Sequence, residues 1–107
     1  MVQMEKHRRH ATKILIVDDE PDLRKLLTDY LEINGYVVMV AQNSREVIRQ
    51  IEEHPDLILL DINMPEMDGL ELCRKIRNFI SCPILFLTAR VEDTSGGREL
   101  PFAIAIP

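Results

Sequence analysis

The stretch Asp56-Leu57-Ile58-Leu59-Leu60-Asp61-Ile62-Asn63-Met64-Pro65 decides how this chain folds. Leu57 to Leu60 form an apolar run with no polar interruption, and the run ends on a carboxylate. A solid run of this length, rather than an alternating one, marks a strand covered on both faces, as in a parallel sheet. Ile14-Leu15-Ile16-Val17, Tyr36-Val37-Val38-Met39-Val40 and Ile84-Leu85-Phe86-Leu87 repeat the pattern. They are rich in β-branched and large apolar side chains, which suit a pleated surface.

Between the runs the apolar period becomes helical. Leu23, Leu26, Leu27, Tyr30 and Leu31 follow the i, i+3, i+4, i+7, i+8 spacing of an inward helix face. Pro21 suits the first turn of that helix and Gly35 its C-terminal stop. Ser44 is expected to cap a second helix with Val47, Ile48 and Ile51 inward, and Pro55 prevents its continuation. Asp68 caps a third helix with Leu72, Cys73, Ile76 and Phe79 inward, and Pro83 opens the fourth strand. Strands alternating with helices in this way imply right-handed crossovers and a layered α/β domain.

The composition agrees with a single globular unit. The chain has 107 residues, 46% of them hydrophobic and 29% charged. That length corresponds to one domain with a buried core. No apolar run approaches the length needed to span a bilayer, and Met1 to Thr12 has basic residues without the apolar centre of a secretory signal. A cytoplasmic location with no membrane partner is the expectation. The balance of 13 Lys+Arg against 18 Asp+Glu leaves a net charge of −5. That is the wrong sign for a nucleic-acid footprint, so no direct DNA binding is expected of this chain. Cys73 and Cys82 are too few and too isolated for a metal site or disulfide framework, and read as reduced core thiols.

In open α/β sheets ligands bind beyond the carboxyl ends of the strands. The first strand is followed by Asp18, Asp19 and Glu20, the third by Asp61, Ile62, Asn63 and Met64, and the fourth by Thr88 and Ala89. A single acidic residue after a strand carries no weight, because loops are exposed and polar. Asp18-Asp19 together with Asp61, each closing an apolar run, is a stronger pattern. Crowded carboxylates repel unless a cation joins them. Hard oxygen ligands suit Mg²⁺, which takes one or two carboxylates, several waters and a phosphate oxygen. A carboxylate within such a cluster can also attack phosphorus to give an aspartyl phosphate.

Other motifs fail. Asp61-x-Asn63 resembles the start of a calcium loop, but the required Gly and terminal Glu are missing. Gly96-Gly97 has no following Lys-Ser/Thr and is not a phosphate loop. His7 and His10 lie in the polar N-terminal stretch and His54 at a helix end, so a Ser-His-Asp triad has no support.

The segments Lys13 to Pro21, Asp56 to Gly69 and Pro83 to Arg90, taken in this order, resemble the receiver domain of bacterial two-component response regulators. The likeness is greatest to the transcription-factor branch with a winged-helix output domain, and runs from about Lys13 to about Thr94. The resemblance implies that Asp61 is the phospho-acceptor, supplied by a sensor histidine kinase in a phosphorelay. It implies Mg²⁺ held by Asp18, Asp19, Asp61 and the backbone carbonyl of Asn63. Thr88 would be the switch hydroxyl, and Met64, Pro65 and Gly69 would shape the site loop. It implies a doubly wound, flavodoxin-like parallel sheet, in full form ordered 2-1-3-4-5 with five helices. A receiver–receiver dimer is a further implied partner.

The C-terminal stretch departs from that pattern. Residues 1–12 read as a polar basic tail, 13–94 as an incomplete receiver and 95–107 as a divergent tail. The expected core order is therefore 2-1-3-4, with the fifth strand and fifth helix missing or replaced, as in a truncated or frameshifted product. Such a loss is expected to leave the fourth strand as an edge and apolar surface exposed. Phe102 to Ile106 is expected at most as a short edge strand between Pro101 and Pro107. The lysines are Lys6, Lys13, Lys25 and Lys75, so no catalytic lysine follows a fifth strand. A phospho-acceptor rather than an enzyme is the leading expectation. A degenerate receiver acting only as an interaction module is the alternative. A Mg²⁺-dependent phosphohydrolase is weaker, because the second acid such enzymes carry two residues on is here Asn63.

Overall fold

A computed structural model describes residues 11–62, 64, 65, 68–89 and 102–105. The elements are β1 (Lys13–Val17), α1 (Pro21–Ile33), β2 (Val37–Ala41), α2 (Ser44–Gln50), a 3₁₀ turn (Ile51–Glu53), β3 (Leu57–Asp61), α3 (Gly69–Ile76), β4 (Ile84–Ala89) and β5 (Phe102–Ala105). The sheet runs β2-β1-β3-β4-β5. Its first four strands are mutually parallel, in the order 2-1-3-4 expected from the apolar runs.

Each strand of the centre buries both faces. Alternate residues point to opposite sides, and the core divides accordingly. Ile14 and Ile16 of β1 join Leu59 and Leu87 on one side, where Leu27 of α1 closes over them with Leu23 and Leu31. Leu15 and Val17 join Ile58, Leu60, Ile84 and Phe86 on the other, under Val47 of α2 and Leu72, Cys73 and Ile76 of α3. Burying one such side chain contributes about 1.5–3 kcal/mol. Parallel strands joined by helices on both sides give the flavodoxin-like, doubly wound architecture of receivers.

The helices turn less of their apolar surface inward than the spacing predicts. Leu26 and Tyr30 are 56% and 64% exposed, and Ile48 and Phe79 are 43% and 74% exposed. In α1 the line Leu23, Leu27, Leu31 lies on the sheet, and the i+3 and i+7 positions fall on its flank. Residue Asn43, rather than Ser44, caps α2: its side-chain oxygen accepts from Glu46 N at 2.9 Å. Glu46 returns the bond to Gln42 N at 2.8 Å, a capping-box exchange displaced by one residue from the usual pair. The expected breaks hold elsewhere. Pro21 starts α1, Gly35 follows it at φ +92°, and Asp68 Oδ1 accepts from Leu70 N and Glu71 N at the start of α3.

β4 is not an edge. β5 pairs with it antiparallel, in the register Phe86↔Ala105, Leu87↔Ile104, Thr88↔Ala103 and Ala89↔Phe102. The fifth strand is thus replaced by one that runs the other way, within the stretch expected to form a short edge strand. Ile106, Asn63, residues 1–10 and residues 90–101 lie outside the described residues.

Candidate functional site

Strand register assembles the site. Val17 pairs with Leu60, so the next residues, Asp18 just past β1 and Asp61 at the last position of β3, stand side by side. Asp61 pairs with Leu87, which puts Thr88 one step further along the neighbouring strand. Ile62 N donates to Leu87 O at 3.2 Å and ties the loop after Asp61 to β4. Asp18, Asp19 and Asp61 each offer a carboxylate oxygen, and these atoms all lie within 4.8 Å of one another. The cluster expected from the sequence therefore exists, with Asp18 buried, Asp19 exposed and Asp61 half-buried.

Asp18 is the most constrained of them. It is 0% exposed, the one buried charged residue among those described. Its N–H donates to Ala41 O at 3.1 Å and its Oδ1 accepts from Glu20 N at 2.8 Å. Its backbone carbonyl accepts from Arg24 Nη1 at 2.8 Å. Its Oδ2 is buried with no hydrogen-bond partner. Burial pushes the Asp18 carboxyl up to about 6, against the Glu20 N–H, which stabilises the anion; the neighbouring Asp61 and Asp19 carboxylates push further up. A protonated Asp18 can donate to Asp61; an ionised one leaves Oδ2 facing other negative charge.

This arrangement passes a chemical test for a hard divalent cation. A buried carboxylate oxygen without a donor is costly. A cation among several carboxylate oxygens removes both the missing contact and the repulsion, and an all-oxygen set is the one Mg²⁺ takes. Asn63 lies outside the described residues, so a ligand from its carbonyl is not part of this geometry.

The loop residues behave differently from one another. Met64 is buried, 6% exposed, in the core beneath α2 and α3, whereas Pro65 is exposed. Gly69 opens α3 against Ile62, the residue that follows Asp61. A Cβ there would stand 3.2 Å from Ile62 Cγ2 and 3.3 Å from Ile62 Cα. A Cβ at 69 would need Ile62 to give by a few tenths of an ångström, and glycine avoids that crowding.

Sequence reasoning missed Arg24. Its signal is weak: a basic residue one turn into a helix, whose side chain leans back over the preceding loop because helical side chains tilt toward the N-terminus. Asp56 also has a purely structural task. Its Oδ2 accepts from Lys13 N at 2.9 Å and its N–H donates to Lys13 O at 2.8 Å, joining the start of β3 to β1.

The comparisons with known proteins agree with this geometry. The response regulator receiver domain family matches residues 14–100. The chain belongs to that family, whose receiver domains serve as phospho-acceptors. It is similar to the transcriptional regulatory protein ResD of Bacillus subtilis (strain 168), with 48% identity over 87 residues, covering 80% of this chain and 36% of ResD. The chain thus spans about a third of the length of the curated relatives it matches. Among solved structures it is similar to response regulator TrrA of Thermotoga maritima in complex with Mg²⁺-BeF, with 40% identity and a TM-score of 0.67, covering 74% of this chain and 70% of that one. It is also similar to the complex of histidine kinase ThkA with TrrA, with 38% identity and a TM-score of 0.67, covering 80% of this chain and 76% of that one. The family match extends to residue 100, beyond the boundary near Thr94 read from the sequence. No helix among the described residues is long and apolar enough to cross a membrane.

Proposed function

We propose that this receiver accepts a phosphoryl group on Asp61 from a phosphohistidine of a sensor histidine kinase, with Mg²⁺ as cofactor. A carboxylate oxygen of Asp61 forms the P–O bond while the P–N bond of the donor breaks and its electron pair returns to the imidazole. Asp18, Asp19, Asp61 and the Asn63 carbonyl would hold the metal. Bound Mg²⁺ supplies offsetting charge for the transferring phosphoryl oxygens. The residues of the chain do the rest: Asp18 is fixed before any ligand arrives, Asp61 ends its strand beside it, and the Ile62–Gly69 contact holds the acceptor loop. The Thr88 hydroxyl is proposed to turn toward the acyl phosphate. The kinase partner is supported by the likeness to TrrA, which is seen with ThkA.

One observation carries this reading: three carboxylates from two strand ends, with ligand atoms within 4.8 Å and a buried Asp18 Oδ2 that no donor meets. The test is incubation with Mg²⁺ and a small phosphodonor. An acid-stable, base-labile adduct on Asp61 is expected, and a folded protein that forms none removes the proposal.

A second reading, an interaction module that binds a partner without switching, rests on β5. The resemblance implies a lysine at the rim end of a parallel fifth strand. Here β5 runs antiparallel, so its C-terminal end, Ala105, lies opposite Phe86 and away from the rim. Adduct formation with no change in partner affinity would favour this second reading.

A further inference from the structure

Asp18 has four polar atoms, and three are held. Two of the holds come from backbone: its N–H on Ala41 O at 3.1 Å, and Glu20 N on its Oδ1 at 2.8 Å. Substituting the side chain of Ala41 or Glu20 leaves those partner atoms in place. The third is a side-chain tether, Arg24 Nη1 on the Asp18 carbonyl at 2.8 Å. Arg24 is itself anchored to the same loop, since its N–H donates to Glu20 O at 3.0 Å. Its side chain is half-buried, so the tether is partly shielded from water. The contact therefore braces the β1–α1 turn from both ends, Asp18 on one side and Glu20 on the other. The fourth atom, Oδ2, is the one left for a cation.

We propose that Arg24 is a positioning residue: its bond to the Asp18 carbonyl keeps the β1–α1 turn in the geometry that holds Oδ2 beside the Asp19 and Asp61 carboxylates, and so raises the affinity of the cluster for a divalent cation. The inference rests on the proposed cation site and adds a residue to it. Two effects of Arg24 on a cation oppose one another. Its positive charge repels the cation, and removing it by itself would tighten binding. Its hydrogen bond preorganises the carboxylate, and a hydrogen bond from a charged donor is stronger than a neutral one. Preorganisation raises affinity by lowering the ordering cost at binding. The sign of the change on substitution therefore separates the two.

The experiment is a calorimetric Mg²⁺ titration of the full chain at pH 8, with metal-free melting recorded alongside. Arg24→Ala is expected to weaken Mg²⁺ binding by about fivefold, a change readily resolved on the affinity scale. Lys25→Ala is the charge control: it removes one positive charge from the next residue of α1, where the side chain pairs with Asp29 at 3.0 Å on the surface. Its Mg²⁺ affinity is expected to be unchanged or slightly tighter. Arg24→Lys keeps the charge and one donor, and is expected between wild type and Arg24→Ala. If Arg24→Ala does not fold, Arg24→Gln, which retains a donor but no charge, is compared with Arg24→Lys. Weaker binding by both than by wild type supports the tether, and wild-type or tighter binding by both overturns it. A folded Arg24→Ala that binds Mg²⁺ as wild type or more tightly overturns the inference, even if it melts lower. Wild type that takes up no Mg²⁺ overturns the cation site itself and the inference with it.

Discussion

The two halves of the site rim are built by opposite strand directions. On the β1–β3 side, parallel strands in register deliver Asp18 and Asp61 to the same level, and the turn that follows β1 is bonded at several points. On the β4–β5 side, the neighbour of Thr88 is Ala103 of a strand running the other way. A parallel neighbour presents its C-terminal end at the rim, and an antiparallel one its N-terminal end. The three carboxylates of the cluster thus depend on β1 and β3, whose order in the sheet is that of the family. The groups that would couple the acceptor to a response depend on a strand that departs from it. If Asp61 accepts a phosphoryl group as proposed, accepting it and responding to it would draw on different parts of this sheet.

Substitutions can test that division, and the largest effects belong to the first half. Asp61→Asn is expected to abolish the phosphodonor adduct altogether, as read by mass spectrometry of the intact chain. An adduct that persists would place the acceptor elsewhere. Asp18→Asn combined with Asp19→Asn is expected to remove all Mg²⁺-dependent stabilisation in thermal melts. Undiminished shifts with Mg²⁺ would mean that the cation sits apart from these carboxylates.

A pH effect arises from the raised Asp18. Its carboxyl titrates at about 6 in the folded chain, because burial and then the adjacent carboxylates disfavour the anion. An unfolded Asp titrates near 3.9. Between these values the folded state holds a proton that the unfolded state has lost. The contribution of Asp18 to the stability of the metal-free protein therefore falls as pH rises from about 4 to about 6, by an amount on the order of 3 kcal/mol. Urea unfolding at pH 4.5 and 7.5 measures the slope, and Asp18→Asn is expected to remove its share. An Asp18→Asn slope equal to that of wild type would show that Asp18 does not titrate in this window.

Smaller effects are expected further along. Gly69→Ala should cost about 1 kcal/mol through overpacking against Ile62, visible as a lowered urea midpoint. A midpoint at or above wild type would show that the loop yields. Thr88→Ala is expected to leave adduct formation unchanged and to alter only the response of the phosphorylated chain, read as its affinity for a partner. A lost adduct in that variant would place Thr88 on the transfer side of the division and blur it.

Much of this molecule is legible in its sequence, and the failures have physical causes. The parallel strands follow from solid apolar runs, and the acidic cluster follows from the carboxylates that close them. Helix faces are less legible. Leu26, Tyr30 and Ile48 satisfy a helical period, yet spacing alone does not say which side of an apolar stripe meets the sheet, and Phe79 lies in the turn after α3 has ended at Ile76. Asn43 and Ser44 are both good caps, and the reach of Glu46 back to Gln42 N accompanies Asn43 in that role. The direction of β5 leaves no trace, because a short apolar run reads the same for either pairing. Arg24 is invisible for a related reason: its bond goes to a backbone carbonyl, and any residue at position 18 would present one.

The Gly69 contact has a consequence for how this region can vary. Shortening Ile62 would remove the Cγ2 that lies 3.2 Å from an added Cβ, but not the Cα at 3.3 Å. The obstruction belongs partly to the main chain, which every amino acid shares. A second substitution at position 62 can therefore relieve only the side-chain part of the contact with a side chain at position 69. A side chain at 69 is accommodated only if the start of α3 or the segment that carries Asp61 gives by a few tenths of an ångström.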